Sequence, residues 1–226
     1  MKFWYEDCVE YKNDRVIVKL YDGNTFKKSI VIPTSYYPLN EKYEVFTKNN
    51  TEIVSDDKIL GIFDEVKYKI GFCYSNSKQL YQKLVAQAID AKIYCGWLFV
   101  GAAEYPVHHC WVVVNGKHLL DLGDDFTVML SGQNAENFKN ASIAETRRLT
   151  ADFARASKNV PNRVRCAPVG TPTPFLLYVG CECDAERGRE IYNQLLKRYP
   201  NHECERNCDR NGLNETQRII RSYGVM

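Results

Sequence analysis

Residues His108–Leu122 read HHCWVVVNGKHLLDL, and the loop in their middle decides which polar residues at the two ends can meet. Asn115-Gly116 is a strong hairpin signal, because both residue types tolerate the positive φ that a tight turn needs. The flanking Trp, Val and Leu runs form strands. Loop length then sets which side chains share a face. A two-residue loop pairs Val114 with Lys117, sets Asp121 opposite Cys110, and makes His108 its diagonal neighbour. A three-residue loop with a bulge pairs Val114 with His118, sets Asp121 opposite Trp111, and puts His109 on that face. Pattern alone admits both registers.

Upstream, Gly71–Leu84 reads GFCYSNSKQLYQKL. Leu80, Tyr81, Leu84, Val85, Ala88 and Ile89 recur at helical spacing, which predicts a helix over Ser75–Asp90 with Ser75 or Asn76 near its N-cap. Followed backwards through Ser77, the same face reaches Cys73 at the helix N-terminus, on its inward side. Thiol catalysis needs a thiolate, a base, and a group that orients the base. The partial positive charge of a helix N-terminus favours a thiolate. Cys73 is therefore the candidate nucleophile, a hairpin histidine the base, and Asp121 the orienting carboxylate. A buried core thiol is the plain alternative for Cys73.

The rest of the chain frames this centre. Arg15–Pro33 is β-branched and alternating around Asp-Gly-Asn, a second hairpin. Lys58–Phe63 (KILGIF) reads as a further strand. Asn134–Asn159 is helix-prone, a proline-rich loop leads into a strand near Tyr178, and Asp184–Tyr199 and Asn214–Tyr223 read as helices. Cys95, Cys110 and His118 read as core or strand-face residues. These elements predict an α+β protein with a β-rich N-terminal portion (1–60), a core (61–130), and a mixed C-terminal extension (131–226). The three form one unit.

The chain has 226 residues, 45% hydrophobic and 26% charged, with a net charge of +2, which gives no case for nucleic acid or an acidic membrane surface. No run reaches the roughly 18 apolar residues of a membrane span. The start, MKFWYEDCVEYKNDR, lacks the apolar segment of a secretory signal, and nine cysteines suit a disulfide framework poorly. A cytoplasmic protein with reduced thiols is expected.

The pieces CYSNSKQL, YCGW and PVHHCWVVVNGKHLLDL together resemble a family of bacterial and phage-encoded proteins of the papain-like or transglutaminase-like superfamily. That family's pattern is C-[FY]-x-N-[AS], Y-x-G-[YW], H-x-W, a short turn, and a hydrophobic residue before Asp. The matching residues are Cys73, Asn76, Tyr94, Gly96, Trp97, His109, Trp111 and Asp121, and the likeness spans Gly71–Gly123. It implies a helix bearing the cysteine packed on an antiparallel sheet. H-x-W selects His109 and so requires the bulged register. The implied activity is a cysteine hydrolase or acyltransferase acting on a peptide or amide bond of a peptide or protein substrate, with no cofactor needed for catalysis. Papain-like sites add an amide side chain before the cysteine as oxyanion donor. Here the segment before Cys73 has none, leaving Asn49, Asn50 and Asn76 to consider. A non-catalytic structural or interaction protein of phage or virion type is the reading from another class.

A second cluster lies at the C-terminal end. Cys181, Cys183, Cys204 and Cys208, with His202 between, can close a tetrahedral structural zinc shell. Asn207-Cys208 also follows His109 in the order of permuted thiol enzymes, but its charged surroundings offer no apolar helix face to seat a nucleophile. The basic stretch Arg147–Arg165 reads as a solvated helix face rather than a phosphate-binding patch.

Overall fold

Alternation of β-branched residues with lysine and tyrosine makes a three-stranded antiparallel sheet from Val9–Lys12 (β1), Arg15–Asp22 (β2) and Thr25–Pro33 (β3). Val16, Val18, Ile30 and Ile32 are buried in one continuous core with the rest of the molecule. The computed structural model describes residues 9–12, 15–22, 24–33, 43–100, 106–123, 141–166, 168–173, 176–198 and 221–224.

The second sheet carries the candidate site. Its strands are Glu44–Phe46 (β4), Ala91–Val100 (β5), Val107–Val114 (β6), His118–Leu120 (β7) and Leu176–Glu182 (β8), in the order β4-β8-β5-β6-β7. Every neighbouring pair is antiparallel. Both faces of β6 are covered, so it lacks the polar alternation of a half-exposed strand. Cys110, Val112 and Val114 join a core with Leu80, Leu84 and Trp97. Trp111 and Val113 join a second one with Tyr94, Leu98 and Tyr178. The molecule is α+β.

Lys58–Phe63 corrects the expectation of a strand. It lies in a helix, Asp57–Asp64 (α1), whose N-cap Asp56 accepts hydrogen bonds from Lys58 N–H and Ile59 N–H. Ile59, Ile62 and Phe63 are buried at helical spacing, but the helix is so short that this period resembles a strand run.

The helix from Cys73 to Ala86 (α2) packs on β5 and β6 and starts earlier than expected, with Phe72 rather than Ser75 or Asn76 as N-cap. Ile143–Ala156 (α3) opens on a capping box between Ser142 and Glu145. It lies in the helix-prone stretch Asn134–Asn159, whose first residues fall outside the described ones. A short helical turn, Asn162–Arg165 (α4), and Ala185–Arg198 (α5) follow. Of the helix expected over Asn214–Tyr223, only residues 221–223 are described, and 221–222 are helical.

Candidate active site

The Asn-Gly turn settles the hairpin register. Asn115 and Gly116 both take positive φ (52° and 67°), and Lys117 N–H closes the turn onto Val114 C=O at 3.1 Å. Val114 nevertheless pairs with His118, so Lys117 is the extra residue of a bulge. A neighbouring segment holds the bulge in place. Glu52 N–H donates to Lys117 C=O at 2.9 Å, and His118 Nδ1 meets Glu52 C=O at 2.7 Å. The bulged register carries Asp121 to the face of His109.

His109 Nε2 lies 2.8 Å from Asp121 Oδ2, and both side chains are almost fully buried. Tyr178 donates its hydroxyl to the same oxygen at 2.7 Å, and Gly123 N–H donates to Oδ1 at 2.6 Å. The carboxylate is thus held by three donors from β6, β8 and the turn after β7. Such charge-assisted bonds are shorter and stronger than neutral ones. Gly123 packs so closely that a Cβ there would stand 2.5 Å from His109 Cε1.

Cys73, partly buried, is the other neighbour of the His109 ring. Burial opposes a charge on the imidazole. The Asp121 carboxylate, through its charge and its hydrogen bond, and after it the Cys73 sulfur more than offset this, and hold the His109 pKa well above its ordinary value. With Nε2 committed to Asp121, Nδ1 is the nitrogen left for the thiol.

The next residue along α2 makes the matching contact. Tyr74 OH hydrogen-bonds to His108 Nδ1. His108 stacks on Tyr192, centroids 4.2 Å apart, and lies edge-on to Trp97 at 4.7 Å. Burial, then the charge of His109, pushes the His108 pKa well below its ordinary value, and burial raises that of Tyr74. The phenol therefore donates and the neutral imidazole accepts. Consecutive residues of α2 thus meet consecutive histidines of β6, and Ser77 Oγ, bonded to Cys110 C=O at 2.8 Å, ties the helix to the same strand.

Asn76, in the C-Y-S-N-S stretch, is buried and bonded to the backbone of Lys69. Its Nδ2 donates to Lys69 C=O at 2.8 Å and its Oδ1 accepts Lys69 N–H at 3.1 Å, which fixes the approach to α2. Asn50 likewise spans the turn after β4, through Val45 C=O and Thr47 N–H, and Asn49 N–H bonds Thr47 Oγ1. The described contacts commit Asn76 and Asn50 to backbone partners. The start of α2 has no side-chain cap hydrogen bond, and the first N–H groups of a helix have no acceptor within the helix.

Gly96 pairs with His109 on one side and Gly180 on the other. A Cβ at Gly96 would collide with the Val179 carbonyl, and one at Gly180 would stand 2.5 Å from Trp111 Cη2. Glycine here lets β8 approach closely and bring Tyr178 to Asp121. Tyr178 and Gly123 were not singled out from the sequence. Only a side-chain partner for Asp121, sought on a distant strand, could have pointed to Tyr178.

Of the second cysteine cluster, Cys181 and Cys183 are buried in the core beside the sheet, and Cys204, Cys208 and His202 lie outside the described residues. Among the described residues no group of three or more His, Cys, Asp or Glu is arranged to hold a metal ion. No helix among them is long and apolar enough to cross a membrane.

No protein-family model, curated protein or solved structure matches the chain significantly.

Proposed function

We propose that the chain is a cysteine-dependent hydrolase or acyltransferase with a papain-like or transglutaminase-like core, acting in the cytoplasm on a peptide or amide bond. The observation that carries this reading is a buried imidazole fixed by a carboxylate, with a thiol at a helix N-terminus as its other neighbour.

Cys73 Sγ attacks the carbonyl carbon, and the π pair moves to oxygen. First-turn N–H groups of α2 stabilise that oxyanion, each such donor contributing on the order of a hundredfold or more in rate. Collapse breaks the C–N bond as His109 Nδ1–H protonates the leaving amine, giving a thioester and neutral imidazole. Water or an acceptor amine then attacks the thioester, Nδ1 takes its proton, and the C–S bond breaks. Asp121 keeps Nε2 protonated and the ring aligned throughout. Water as acceptor makes a hydrolase; an amine makes an acyltransferase.

The test is alkylation of Cys73 by iodoacetamide in the native protein, followed by peptide mapping across pH. The reading expects fast labelling that falls by about tenfold or more in His109→Ala. A Cys73 that stays inert until the protein unfolds overturns it and favours a structural or interaction role.

A further inference from the structure

The segment joining α1 to α2 forms one wall of a cavity of about 410 Å³, and α3, the turn at Ser157–Asn159 and α4 form the other. Val66, Ile70, Ala154 and Val160 give it apolar sides. Phe72, the residue immediately before Cys73, is also part of the lining.

The polar lining is strongly one-sided. Among the described residues that line it, Lys67, Lys69, Lys158 and Arg165 stand against one carboxylate, Asp64, which is engaged with the backbone and side chain of Arg163. Arg165 is only 5% exposed. Its guanidinium carbon lies 3.5 Å over the Tyr68 ring, and its Nη2 donates to Asn162 Oδ1. Asn162 is itself anchored, its Nδ2 donating to Phe63 C=O at 2.6 Å and to Val66 C=O at 3.0 Å. The planar fork is therefore pre-oriented rather than free to rotate. Beside it the Tyr68 hydroxyl is buried and has no hydrogen-bond partner among the described residues. A buried phenol without a partner is costly unless something supplies an acceptor.

A fixed guanidinium, an unanswered hydroxyl donor, a rim of exposed lysines and apolar walls match one kind of ligand. We propose that this cavity binds an anionic head group, carboxylate or phosphate, carried on an apolar stem of the substrate. That this ligand is the substrate of Cys73 rests on the function proposed above; the binding itself does not. Phe72 links the two, since it lines the cavity and caps the helix that begins at Cys73.

The test uses hexanoate, hexyl phosphate and neutral hexanamide as probes in thermal unfolding of the full chain, for the wild type and Cys73→Ala. A ligand that binds only the folded state stabilises it by RT ln(1 + L/Kd), where L is the free ligand concentration, so Tm rises with ligand concentration above Kd. At least one anion should stabilise both proteins while hexanamide does not, and the tighter anion identifies the head group. The exposed double variant Lys69→Glu/Lys158→Glu should weaken that anion about tenfold, and Arg165→Gln should weaken it further. Equal effects of hexanamide, no effect of either anion, or anion binding unchanged in the lysine variant each overturn the proposal. Anion binding beside an inert Cys73 retires the catalytic reading alone. A reactive Cys73 without anion binding retires the cavity alone.

Discussion

His108 and His109 are consecutive on β6 but face opposite sides of the sheet, and their surroundings drive their charges apart. His108 lies among Trp97, Tyr192 and Tyr74, while His109 lies among Trp111, Tyr178 and Asp121. Burial penalises a charge on both. At His109 the Asp121 carboxylate more than offsets it.

The two should therefore titrate on opposite sides of the ordinary histidine value of about 6.5. His109, with a raised folded pKa, stabilises fully below that value, and its contribution is lost as pH rises through the folded pKa. His108, with a depressed one, costs stability as pH falls below about 6.5, where the unfolded chain takes up a proton that the folded chain refuses. Imidazole ¹⁵N shifts should show His108 neutral and His109 charged at pH 7. Asp121→Asn should drop the His109 pKa sharply, because burial is then poorly opposed. A wild-type His109 already neutral at pH 6 would contradict this account.

Gly123→Ala tests positioning separately from chemistry. The added Cβ would stand 2.5 Å from His109 Cε1 and 3.2 Å from Asp121 Oδ1, well inside contact distance. The φ of Gly123 is not positive, so steric conflict with the His–Asp pair is the sole cost. The ring must move, and Cys73 alkylation should slow by about tenfold or more, since small misplacements of a catalytic group are expensive. Thermal stability should change far less, by about 1 to 2 kcal/mol. A variant that unfolds outright, or that labels at the wild-type rate, would show that Gly123 does not set the ring.

Tyr178→Phe removes one donor from a buried carboxylate while keeping the ring that packs on Trp111 at 5.1 Å. A hydrogen bond to a charged group is worth about 1.5 to 3 kcal/mol, so denaturant unfolding should show a loss of that size. The remaining donors, His109 and Gly123 N–H, keep Asp121 in place. Labelling of Cys73 should fall by less than in Gly123→Ala. The reverse order would mean that Tyr178, not Gly123, positions the imidazole.

How far the sequence reveals this arrangement depends on the range of the forces that make each part. Asn115-Gly116 and the Val run mark the hairpin locally, and the apolar spacing of Leu80 and Leu84 marks α2. The α2 start is hidden in the sequence because Phe72 caps it without a side-chain bond, leaving no Ser, Thr or Asp signature. The choice between His108 and His109 rests on one bulged residue, and that bulge is fixed by contacts to Glu52, far away in sequence. Tyr178 reaches Asp121 from a strand that pairs with β5 through Gly96 and Gly180, a long-range fact with no local signal. Asn76 had the residue type of an oxyanion donor, yet its amide is spent on Lys69.

The described thiols should react in a strict order. Cys73 is partly exposed, whereas Cys95, Cys110 and Cys181 are buried to within 1% of full coverage. The Cys95 thiol donates to Cys110 Sγ and to Cys183 C=O, each at 3.7 Å, and these bonds, together with burial, hold its pKa well above the usual thiol range. α5 seals this row, because Gly188 packs directly on Cys95 and leaves no room for a Cβ. Brief iodoacetamide treatment at pH 7, mapped by mass spectrometry, should modify Cys73 and leave Cys95, Cys110 and Cys181 intact until denaturant is added. Gly188→Ala should push α5 off the sheet, lower the unfolding midpoint and make Cys95 label in the native state, with Cys73 changed little. Early labelling of Cys95 in the wild type would mean that the packing of α5 on β5 does not hold in solution.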